Sequence, residues 1–167
     1  MKRTLILFYL TLGICTATKT HAQGEATSQF LSLAMEIESN ERQEMPPSLL
    51  SLAKEVNTTE GYYIIAYLYR QQGSYSPCIN FCEKCMEVRP LCFSAILLRG
   101  LSLYQLGKRL EGLEDIVLAL DPDQCNPTEA ITTNLDAESE RNLIALGEKL
   151  ASEHFISALK RITNNNK

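Results

Sequence analysis

Histidine is almost missing from this chain: among 167 residues only His21 and His154 carry an imidazole. That leaves little with which to build a histidine metal site or an acid–base relay. No G-x-S-x-G, H-E-x-x-H, Walker or Rossmann signature occurs. No stretch alternates apolar and polar residues with strand period, so the pattern points to an all-α fold. No basic stripe with interleaved aromatics is present, which argues against nucleic acid as a partner. The acidic runs Glu36–Glu44 and Asp136–Glu140 read as solvated helix surface, because nothing fixes two of their carboxylates across a cleft. Catalysis has no positive support: the chain is expected to be no enzyme, with no cofactor and no small-molecule substrate.

Long apolar runs are missing too. The best, Leu5–Ile14, is too short to span a bilayer. It follows a basic start, Met1-Lys2-Arg3, and precedes a polar stretch ending in Thr20-His21-Ala22. Those are the three regions of a bacterial-type secretory signal peptide, 1–22, with cleavage expected after Ala22 and a mature start at Gln23. The product would be exported, periplasmic or secreted. Cys15, preceded by Leu12-Gly13-Ile14, resembles a lipoprotein processing site with a poor match at Ile14; lipidation there is the only membrane link foreseen. Removing 1–22 takes away three of the 16 basic residues and none of the 20 acidic ones, moving the net charge from −4 to near −7. That balance also argues against an anionic membrane surface as partner.

What is present is helical punctuation. Thr59–Pro90 reads as two helices joined at Gly73. Tyr62, Ile65, Ala66 and Tyr69 share a face of the first helix, and Cys78, Cys82 and Cys85 a face of the second. Pro90 closes the unit. This order of large, apolar-small, aromatic and small positions resembles the tetratricopeptide repeat, whose units recur about every 34 residues. Sliding the stretch by that period places Gly73 on Gly107, Ala66 on Gly100, Cys78 on Gly112, Cys82 on Ile116 and Cys85 on Ala119. The second copy departs at Arg99, where Ile65 stood, and at Pro122, two residues early.

Two weaker copies flank the pair. Upstream, Phe30, Leu33, Ala34 and Ile37 are followed by Leu50, Ala53 and Val56. Downstream, Leu143, Leu146, Gly147, Leu150 and Ile156 echo Leu103, Leu106, Gly107, Leu110 and Ile116. Units are therefore expected near 25–58, 59–92, 93–126 and 128–163. The last is expected to be a helix pair breaking at Gly147, in preference to one long helix.

The resemblance implies a short right-handed superhelix of antiparallel helix pairs, with the first helix of each unit lining a concave face that binds a protein or peptide. The residues it assigns there are Tyr63, Tyr67, Arg70 and Gln71, then Leu97, Leu101, Tyr104 and Gln105. Tyr and Arg are enriched at binding hot spots. The Lys/Asn set with which some family members clamp a peptide carboxylate is absent; Tyr63 and Tyr67 stand there instead. The expected function is an exported scaffold or adaptor. The alternatives are a lipid-anchored envelope assembly factor and a cysteine-based metal or redox protein.

The last alternative rests on Cys78, Cys82, Cys85 and Cys92. Spacing of i, i+4 and i+7 on one helix, with Gly, Ile and Ala at the same places of the next unit, points instead to thiols used as small apolar groups. No metal ligand is therefore assigned. Five cysteines survive cleavage, so one at least is unpaired within a monomer, and the same-helix spacings suit a disulfide poorly. His154 reads as a packed histidine.

Overall fold

The computed structural model describes residues 24–39, 44–56, 58–121, 131 and 135–164. The expected signal peptide, Cys15, Gln23 and Cys125 lie outside them. Among the described residues the fold is all-α, with no strand. The helices are α1 (24–39), α2 (Pro47–Val56), α3 (Thr59–Gln71), α4 (Tyr75–Val88), α5 (Phe93–Gln105), α6 (Arg109–Leu120) and α7 (Ala137–Asn164).

The middle of the chain is two packed helix pairs, α3 on α4 and α5 on α6, with α4 against α5 between them. Helix α5 occupies the residues of α3 moved along by 34, since Thr59 maps to Phe93 and Gln71 to Gln105. Helix α6 begins 34 residues after α4, at Arg109 against Tyr75. Both turns are made the same way: Gly73 at φ 70° and Gly107 at φ 81° take the left-handed conformation that lets a helix stop and the chain reverse.

Local boundaries follow the side chains. Thr58 caps α3, its hydroxyl accepting from the Gly61 amide at 3.1 Å. Ser74 holds the cap position of α4, without a side-chain bond, and the helix begins at Tyr75. Pro77 falls in the first turn, where its missing N–H leaves no hydrogen bond unmade. Pro90 follows the end of α4, but α5 opens only at Phe93, so Pro90 stops one helix without starting the next.

Packing explains the residue types. The thiols of Cys78, Cys82 and Cys85 are fully buried in the core with Ile65, Ala66 and Leu98. In the second pair Gly100 and Gly112 let the backbones of α5 and α6 touch. A Cβ on Gly100 would lie 2.7 Å from the Gly112 carbonyl oxygen, and one on Gly112 would lie 2.6 Å from that of Gly100. Arg99 is half-buried. Its guanidinium donates from Nε to Asp115 Oδ2 at 2.7 Å and from Nη2 to Oδ1 at 2.8 Å. Upstream, α1 buries Phe30, Ala34 and Ile37, and α2 buries Leu49, Ala53 and Val56. The buried leucine is thus Leu49, where the sequence comparison pointed to Leu50, which is only half-buried.

The C-terminal segment corrects the expected helix pair. It is one α-helix of 28 residues that passes straight through Gly147. Gly147 is not a turn glycine: its missing side chain admits Leu101 and Leu97, whose methyls would lie 3.2 and 3.4 Å from a Cβ there. Ile156 is 48% exposed where its counterpart Ile116 is fully buried, so the echo of α6 there does not reproduce its packing. Among the described residues, no helix is long and apolar enough to cross a membrane.

Candidate functional site: the face lined by α3 and α5

Helices α3 and α5 present the residues that the sequence assigned to a concave face, and α7 lies along it, touching α3, α5 and α6. The stripe that α7 turns inward is Glu140, Gly147, Ala151, Phe155, Ala158 and Ile162. The small residues keep the helix axis close, and one aromatic reaches into the groove.

Taken from the N-terminal end of α7, the contacts alternate polar and apolar. Glu140 is buried and its carboxylate accepts from three donors: the Tyr104 hydroxyl at 2.8 Å, Arg109 Nε at 2.8 Å, and Arg109 Nη2. The Arg109 hydrogen bonds hold the Glu140 carboxyl below its ordinary range, and its acceptance from Tyr104 pushes that phenol up. Next, Gly147 rests on Leu97 and Leu101, and Glu148 pairs with Arg70. The Tyr63 hydroxyl donates to the Ala151 carbonyl oxygen at 2.9 Å. Burial drives the Tyr63 pKa up, keeping it a neutral donor. Phe155 stacks on Tyr67 with ring centroids 4.4 Å apart and planes at 17°. Near the C-terminal end, Arg161 Nη1 approaches Glu60 Oε1 at 3.6 Å.

The expected face therefore exists as a line of residues but is not open. Tyr63, Tyr67, Leu97 and Leu101 are buried, at 2%, 6%, 2% and 1% exposure. Tyr104 is half-buried beneath Glu140. Gln71 and Gln105 remain exposed at the rim, Gln71 donating from Nε2 to the Tyr67 hydroxyl at 2.8 Å. Arg70 is the outlier: its side chain is 9% exposed, one terminal nitrogen meets Glu148, and its Nε has no hydrogen-bond partner among the described residues. A buried guanidinium N–H without an acceptor is costly.

Sequence reasoning missed the α7 half of this site. The signal was there in Gly147, Ala151, Phe155, Ala158 and Ile162, spaced by four, four, three and four. It was masked because Gly147 matched Gly107 so well that the segment was split there.

The cleft between α4, α5 and α6 is lined by Glu83, Lys108, Glu111 and the Arg99–Asp115 pair. In the core, Cys78 Sγ lies 3.1 Å from the Ser102 hydroxyl, and Cys85 donates to the Thr59 carbonyl at 3.4 Å. Hydrogen bonding from Cys82 lowers the Cys78 thiol pKa, while burial pushes Cys82 and Cys85 up. Cys92 is buried with Arg89 Nη2 at 3.6 Å. Among the described residues, no group of three His, Cys, Asp or Glu side chains is placed to hold a metal ion. His154 is half-buried on α7 in a small polar pocket with Thr59, Glu60, Tyr63, Arg89, Ser94 and Arg161. Burial, then the Arg161 charge, lowers its pKa.

Compared with protein-family models, curated proteins and solved structures, the chain matches none.

Proposed function

We propose that the chain is an exported, tetratricopeptide-like binding module that engages a helix of another protein along the face of α3 and α5. The observation that carries the reading is that this face already accommodates a helix along its length, through Tyr63, Tyr67, Arg70, Leu97, Leu101 and Tyr104. Helix-in-groove recognition uses this set of contacts: an apolar stripe with a few polar anchors. The coincidence of α3 with α5 at a 34-residue shift, and the paired left-handed glycines, support repeated units. Core burial of Cys78, Cys82, Cys85 and Cys92 favours this reading over metal or redox chemistry.

A photo-crosslinking residue placed at Gln71 or Gln105 tests it, since both are exposed on the rim. In envelope extract these positions are expected to capture one discrete partner, and the outer-face positions Glu83 and Glu87 to capture none. Adducts from the outer face alone would move the binding surface elsewhere. For export, the mature protein is expected to begin at Gln23 by mass spectrometry. An acylated start at Cys15 would instead make it the lipid-anchored assembly factor.

A further inference from the structure

The groove has an occupant, and two features mark that occupant as imperfect. First, three of the six inward residues of α7 are Gly or Ala; Phe155 and Ile162 are its fully covered large apolar side chains, while Leu143, Ile144, Leu150 and Leu159 pack on the core only partly covered. By contrast, α5 and α6 are closed by backbone contact at Gly100 and Gly112 and by the Arg99–Asp115 pair. Second, among the described residues the buried Arg70 Nε has no acceptor, and the guanidinium is engaged only through Glu148, itself 39% exposed. A carboxylate aligned to take both Nε and a terminal nitrogen would make the stronger bidentate pair.

We propose that α7 is a built-in ligand, displaced when a partner presents an amphipathic helix that fills the same groove better. This rests on the groove-binding reading above and names the partner's chemistry. The partner helix carries small residues at the places of Gly147, Ala151 and Ala158, an aromatic at that of Phe155, and an acidic residue able to grip Arg70 by both nitrogens. Exchange is helix for helix, because an empty groove would expose Tyr63, Tyr67, Leu97 and Leu101 together. Tethering gives α7 an effective concentration in the millimolar range, so an outside helix of equal quality loses to it. Only one with a better fit prevails, and its apparent affinity is reduced by the fraction of time the groove is closed.

Two measurements on the full chain decide this. In native-state hydrogen exchange, amides of Ala137–Asn164 are expected to exchange through an opening that leaves α3 to α6 protected. Exchange of α7 only together with α3 and α5 would make it permanent core and end the proposal. The second probe is a labelled synthetic peptide of residues 137–164. Replacing the tethered Gly147→Leu sets a branched side chain against Leu97 and Leu101, and is expected to tighten peptide binding by about tenfold or more. A peptide with Glu148→Ala is expected to lose about tenfold of that gain. A Gly147→Leu protein that unfolds throughout, ignores the peptide, or forms a dimer by swapping α7 overturns the proposal. A partner captured at Gln71 or Gln105 while α7 stays closed sinks this inference and leaves the binding-module reading. Opening and peptide exchange with no captured partner does the reverse.

Discussion

Tyr67 and Phe155 lie 88 positions apart in sequence, yet their rings stack at 4.4 Å, one from the groove floor and one from the helix that covers it. That contact turns a tyrosine expected at a binding surface into part of the core, at 6% exposure.

Truncating either ring therefore acts on stability first. Phe155→Ala should cost about 3 kcal/mol, as buried Phe truncations do. Tyr67→Ala should be comparable, and the double variant should show about 0.5–1.5 kcal/mol of coupling in a denaturant-melt cycle. Tyr67→Ala with Tyr104→Ala should lower the melting temperature clearly. An unchanged melt would place α7 off the groove in solution.

Three glycines make a graded series. Gly100→Ala and Gly112→Ala each set a Cβ within 2.7 Å of backbone, which cannot move without parting α5 from α6. Each should cost about 3 kcal/mol, at the upper end of overpacking. Gly147→Ala meets only the flexible ends of Leu101 and Leu97, at 3.2 and 3.4 Å, and gains helix propensity. It should be within about 0.5 kcal/mol of neutral. Thermal melts of the three order them, and a costly Gly147→Ala would contradict this packing of α7.

The thiols should behave as core. Cys82→Ala should destabilise by about 1–2 kcal/mol, a modest cavity. Cys78, Cys82, Cys85 and Cys92 should resist a thiol reagent until the protein unfolds, since all four are buried. Rapid labelling of the folded protein at any of them would refute this.

Mild acid should loosen α7. His154 has its pKa lowered from 6.5 by burial and by Arg161, so the folded state favours the neutral ring. Its contribution is present above the unfolded pKa and is lost as pH falls through the folded one. Stability should thus decline below about pH 6.5, with Arg161 adding repulsion and Glu153 opposing it. Glu140 acts in the same direction at lower pH, its pKa being depressed from 4.5, so the two windows separate. In His154→Gln the upper decline should vanish in melts between pH 7 and 5; its persistence would assign the effect elsewhere.

Much of this protein was determined locally. Helical spacing, Gly73, Gly107 and Pro90 specify where chain segments coil and stop, because those effects act within a turn or two of backbone. The burial of Cys78, Cys82 and Cys85 was legible for the same reason: three residues on one helical stripe have one face to share. The lone helix through Gly147 was not, since glycine serves equally to end a helix and to let another element approach, and only the presence of Leu97 and Leu101 chooses between the two. Nor could local pattern reveal that the line from Tyr63 to Tyr104 is covered. A stripe of aromatics and arginine reads alike whether its partner is another molecule or a helix 36 to 88 residues further on. The tertiary structure decided that, by bringing Glu140, Glu148, Ala151 and Phe155 onto Tyr104, Arg70, Tyr63 and Tyr67.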